Sequence, residues 1–131
     1  MKVKVAWVSR HEPLPSQIEE LERKLGENVE IVQISKTFRD VREVYYDIKS
    51  AGAQYAVVVL PLSMIAALAQ YRDIVWLWAE MEPLHQNCKG ELCPEYNPDS
   101  DVILESVGVV RHLRFKEFRK ILKIEMVTEP L

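Results

Sequence analysis

Two groups of residues in this chain have types and spacing suited to chemistry. The first is dispersed: Ser9-Arg10-His11, Ser35-Lys36-Thr37 with Arg39, Ser63, and Glu80 with Glu82 each stand just after a short apolar run. Cations and hydroxyls gathered in this way suit an anion, with a phosphate or nucleotide as the expected guest, because guanidinium and ammonium groups make charge-assisted hydrogen bonds to it. His11 beside Glu80 or Glu82 would titrate near neutral pH and could act as a general base, which extends the same site to cleavage of phosphodiesters. The plainer reading makes Ser63 and Thr37 helix caps, Arg10 and Lys36 solvated loop charges, and His11 a loop histidine without a role. The second group is compact: His85-x-x-Cys88-x-x-x-x-Cys93. One imidazole and two thiolates supply three ligands of a zinc site, with a fourth from His11, His112, Glu82 or another chain. Four residues between the cysteines, rather than two, weaken that pattern. A Cys88–Cys93 disulfide is the alternative, and two unrelated thiols a third possibility.

Several chemistries lack their signatures. The stretch after the first apolar run carries Pro13 and Pro15 where a dinucleotide-binding protein has glycines, and there is no Gly-rich phosphate loop, which argues against NAD binding and P-loop chemistry. Ser63 has no Gly-x-Ser-x-Gly around it, so no nucleophile elbow is present. The run from Arg111 to Lys123 is basic with Phe115 and Phe118 between its charges, a pattern that can track a nucleic-acid backbone. Such runs more often make a charged, soluble strand edge, and a net charge of -3 argues against a generally basic nucleic-acid binder.

The elements that must position these groups follow from periodicity. Tyr55–Leu60 is a continuous, β-branched-rich run between Gly52 and Pro61, as in a strand buried on both faces. Lys2–Ser9, Val29–Ile34 and Ile74–Ala79 are similar runs. Helical patterns lie between them. One is to start at a Ser16/Glu19 capping box, carry Ile18, Leu21 and Leu25, and end at Gly26. A second has Thr37 with Asp40 as its cap and Val41, Val44, Tyr45 and Ile48 on one face. A short third is capped by Ser63. Strand and helix alternation predicts a mainly parallel sheet in a Rossmann-like three-layer α/β sandwich, with ligands beyond the carboxyl ends of the strands. Helix N-termini at three of these exits are expected to add donors.

The chain is expected to form a single domain, 1–131, with a long loop excursion over 80–101 that holds three prolines and both cysteines. After it, Val102–Phe115 and the alternating Leu122, Ile124 and Met126 read as an antiparallel hairpin turning near Lys116-Glu117, with a bulge at Gly108. Its exposed edge predicts a homodimer. The start of the chain has no signal-peptide pattern and no run suits a membrane span, so a cytoplasmic protein is expected. Few amides and hydroxyls beside many Glu, Lys and Arg form the balance thermophile proteins favour, and that habitat keeps an intracellular disulfide open.

Trp7-Val8-Ser9-Arg10-His11, Val57-Val58-Val59-Leu60-Pro61-Leu62 and Val127-Thr128-Glu129-Pro130-Leu131 together resemble small uncharacterised proteins of viruses and other mobile elements, archaeal ones especially. The resemblance covers nearly the whole chain. It implies a host-cytoplasmic accessory protein and carries over no functional residue. Residues and resemblance together lead to a small ligand-binding or regulatory domain for an anion or nucleotide. A phosphodiester-cleaving enzyme using the same site, or an interaction module acting as a homodimer, is the competing expectation.

Overall fold

The computed structural model describes residues 3–26, 28–86, 93–106 and 108–131. The elements are β1 (Val3–Val8), α1 (Pro15–Leu25), β2 (Val29–Ile34), α2 (Val41–Ser50), β3 (Tyr55–Val58), α3 (Leu62–Leu68), β4 (Val75–Gln86), β5 (Asp101–Ser106) and β6 (Val109–Lys120). This is an α/β chain with a mixed sheet in the order β2-β1-β3-β4-β6-β5. Its contacts group into two units, residues 1–12, 28–78 and 120–131 in one and 13–27 and 79–119 in the other.

In the first unit β1 pairs in parallel with both β2 and β3, and β3 with β4. One parity of side chains, Ala6, Val8, Ala56, Val58 and Trp76, packs against Val44 and Ile48 of α2 and Ile65 and Leu68 of α3. The other parity, Val5, Trp7, Val57 and Leu77, is buried as well. Burial on both sides is why these strands read as continuous apolar runs rather than alternating ones. Asp40 caps α2: its Oδ1 accepts from the backbone N–H of Arg42 at 2.8 Å and of Glu43 at 3.2 Å. Asp40→Ala is expected to cost about 1 kcal/mol, measurable by urea unfolding, and an unchanged midpoint would deny the cap its role. Thr37 therefore does not cap this helix, and Ser63 lies inside α3, whose N-cap is Pro61.

In the second unit α1 begins at Pro15, not at a Ser16 cap. Proline at the first helical position lacks only an N–H that would have no partner there, and Gln17 Oε1 accepts from the Leu14 N–H at 2.8 Å. Here β5 and β6 form the antiparallel hairpin, with Asp101 opposite Arg114 and Ser106 opposite Val109. The turn is at Gly108, which has φ +76°, a left-handed conformation that glycine adopts without a Cβ penalty. The expected turn near Lys116-Glu117 is thus corrected. Residues 121–131 form no strand, and Leu122, Met126 and Val127 are exposed. The expected excursion also starts too early, since residues 80–86 continue β4. Among the described residues no helix is long and apolar enough to cross a membrane.

Candidate functional site

Beyond the carboxyl ends of β1, β2 and β3 lies a cavity of about 400 Å³. Strand order puts it at a reversal: the chain passes from β1 outward to β2, then crosses back to β3 on the other side of β1. The two crossovers diverge at that point and leave a crevice, which is where ligands bind in open α/β sheets. Arg10, His11, Lys36 and Thr37 all line it, as expected, together with Ser9 and Phe38. Ser63 and Glu80 are not among its lining residues.

Its rim is built by short hydrogen bonds. Trp7, buried in β1, donates from Nε1 to the His11 carbonyl at 2.8 Å. Gln33 of β2 donates from Nε2 to the Ser9 carbonyl at 3.1 Å, and the His11 N–H donates to Ser9 Oγ at 3.2 Å. These bonds fold the segment after β1 back over its own strand. Arg10 Nη2 then donates to Thr37 Oγ1 at 2.7 Å, joining the exits of β1 and β2.

The two cations of the cavity differ. Lys36 Nζ lies 2.5 Å from Asp47 Oδ2 and 3.9 Å from Glu43 Oε1, and 5.5 Å from the centre of the Phe38 ring. Its pKa is raised, first by the hydrogen bond to Asp47, so its charge is fixed but already matched. Arg10 has no carboxylate at ion-pair distance among the described residues. Helix ends add less than the strand pattern suggests, because Asp40 occupies the first N–H groups of α2 and α3 spans only seven residues. Glu80 instead sits 3.8 Å from Arg119 Nη1, ion-pair distance rather than a hydrogen bond.

A second polar cluster, within the other unit, is not anticipated by the motifs. Asp101 and His112 are buried. The Asp101 carboxylate accepts from Arg114 Nε at 2.7 Å, Arg114 Nη2 at 3.0 Å and the Asn97 N–H at 2.9 Å. His112 Nε2 lies 2.6 Å from the same carboxylate. An ionised carboxylate only accepts, so that nitrogen carries its proton. Arg114 also donates to the Glu95 carbonyl at 2.9 Å. The cluster ties the 93–100 segment to the hairpin. With both side chains of the dyad shut away from solvent, it holds structure rather than receives a substrate. One signal would have found it: a turn placed at Gly108 brings Asp101 opposite Arg114.

No family model, curated protein or solved structure matches this chain. The zinc or disulfide reading falls on His85 and Cys88, whose side chains lie outside the described residues, and on Cys93, which is half-buried. Among the described residues no group of three or more His, Cys, Asp or Glu is placed to hold a metal. The basic run is largely engaged with acids: Arg114 with Asp101, Arg119 with Glu117 at 2.8 Å, and Lys123 with Glu125 at 2.8 Å.

Proposed function

We propose that this chain is a small ligand-binding or regulatory domain that takes an anion, of phosphate or nucleotide type, in the cavity at the carboxyl ends of β1, β2 and β3. The observation that carries the reading is Arg10, a guanidinium with no described carboxylate partner, at the strand-order reversal where an open α/β sheet leaves its crevice. A Rossmann-like three-layer arrangement belongs to the same reading. Phosphodiester cleavage would use His11 as its base, and among the described residues no carboxylate lines the cavity to orient it, so binding is the better supported activity. The interaction reading, a homodimer, draws on the tail, where Leu122 and Met126 are 69% and 88% exposed.

A ligand that binds only the folded chain raises its apparent stability. Thermal-shift and calorimetric titrations with phosphate and nucleotides are expected to find one such anion. Arg10→Ala is expected to weaken it by about tenfold or more, the loss of a charge-assisted bond. Arg10 is exposed, so the variant should fold as the parent does. Equal affinity in the two proteins would remove the reading.

A further inference from the structure

The cavity is polarised across the sheet. Its hydrogen-bonding groups come from the exits of β1 and β2, as Ser9, Arg10 and Thr37, while the exit of β3 supplies only Val59, Leu60 and Pro61, and α3 supplies Met64. With the order β2-β1-β3, the charged side chains stand at the β1 and β2 exits, among Val8, Ile34 and Phe38, whereas the lining at the β3 exit is apolar alone among the described residues. Val59 is 62% exposed, and in the adjoining positions Val57 and Val58 are buried. An apolar strand-exit residue left uncovered at a cavity wall gains by being covered there.

Charge counting narrows the guest further. Lys36 is matched by Asp47 and Glu43, and Asp40 occupies the start of α2. One guanidinium remains to meet an anionic group. Each additional phosphate of a polyphosphate would enter a cavity that offers it no further unmatched permanent cation among the described residues, and the carboxylates of Glu43 and Asp47 stand close behind Lys36.

We propose that the ligand is an organic anion with a single charged head, carboxylate or phosphomonoester, on a flat apolar body, the head bound by Arg10 and the body lying over Val59 and Met64. This rests on the anion reading above and goes beyond it in excluding polyphosphates and bare inorganic anions as the best ligands.

The test titrates the full chain calorimetrically with acetate, benzoate, inorganic phosphate, phenyl phosphate, AMP and ATP. Benzoate is expected to exceed acetate, or phenyl phosphate inorganic phosphate, by about tenfold. Which of the two pairs shows the gain identifies the head. AMP is expected to bind at least as tightly as ATP. Val59→Ser, at an exposed position that tolerates change, should weaken the aromatic probes by about three- to tenfold and leave acetate and inorganic phosphate as they were. Arg10→Ala should weaken every probe that binds. ATP binding tenfold tighter than AMP, aromatic probes no better than their bare heads, or an unaffected Val59→Ser protein would each overturn this proposal while leaving an anion site in place. Absence of binding by every probe at millimolar concentration would overturn the anion site and this proposal together.

Discussion

Replacing Asp101 by alanine is expected to destabilise the protein by about 3 kcal/mol, the low end of what breaking a buried charged network costs. The loss is not that of a single bond. The carboxylate meets two Arg114 nitrogens, the His112 ring and the Asn97 N–H, and its removal leaves His112 fully buried with that nitrogen unmatched. Arg114 is the reason for the low end, since its side chain is 38% exposed and water can replace part of what it loses. Asp101→Asn keeps the volume but turns an amide donor toward groups that are themselves donors, so a smaller loss of the same sign is expected. The network also sets a pH dependence. Arg114 above all, with the Asn97 N–H and His112, holds the Asp101 carboxyl well below the usual carboxylate range. A carboxyl with a depressed folded pKa contributes stability that is fully present above its unfolded pKa of about 3.9, and that is lost as pH falls through this value toward the lower folded one. Urea unfolding at pH 7 and at several points below pH 4 measures both effects. The parent should lose stability across that acid range more steeply than Asp101→Ala. Parallel pH profiles for the two proteins, or a change under about 1 kcal/mol at pH 7, would show that the cluster does not hold the hairpin to the 93–100 segment.

That cluster is not legible in the sequence. β1, β3 and the start of β4 are legible because their environment is simple. Burial on both sides leaves room only for apolar residues, and the intervening helices show one buried face each, as Val44 and Ile48 do in α2. From those strands the cavity followed, since parallel strands linked by crossovers place their exits together, and Arg10, His11, Lys36 and Thr37 duly share one crevice. Caps are less legible. Thr37, Ser16 and Ser63 each stand within a few residues of a helix start, and side-chain oxygens at such places satisfy several geometries. Asp40 took the cap of α2, and Thr37 was thereby left to accept from Arg10. Hairpin register is hidden for a different reason. Val102–Val110 does not alternate because parts of two strands and the turn between them lie within it, and that turn, between Ser106 and Val109, is marked by Gly108 with positive φ rather than by a polar turn sequence. Similarly, Glu80, Glu82 and Pro83 read as loop, yet the strand carries them through Gln86. Charge in a strand is informative only once its neighbours are known.

Trp7 should prove to be the residue through which the core sets the cavity's shape. Its ring is buried, and truncation to alanine would cost about 3–5 kcal/mol in lost contacts and cavity formation. That large effect alone would say little about the site. Trp7→Phe is the sharper variant, because it retains an aromatic ring in the core and removes the Nε1–H that holds the His11 carbonyl at 2.8 Å. His11 is exposed, so its carbonyl finds water instead, and the stability cost, from the lost bond and the smaller ring, should be about 1–2 kcal/mol. The segment Ser9–His11 then keeps the bond from Gln33 to the Ser9 carbonyl but loses its far anchor. Arg10 lies between the two, so its guanidinium loses definition relative to Thr37. Since binding must then order that segment, Trp7→Phe is expected to weaken the anion ligand by about three- to tenfold. Leu68→Ala provides the comparison. Leu68 is fully buried in the core and does not line the cavity, so it should cost more stability, about 2–5 kcal/mol, and leave affinity nearly intact at temperatures where the chain stays folded. Calorimetry on the two variants separates positioning from stability. If Trp7→Phe binds the ligand as the parent does, or if Leu68→Ala weakens binding as much, the indole bond to His11 has no special part in forming the site.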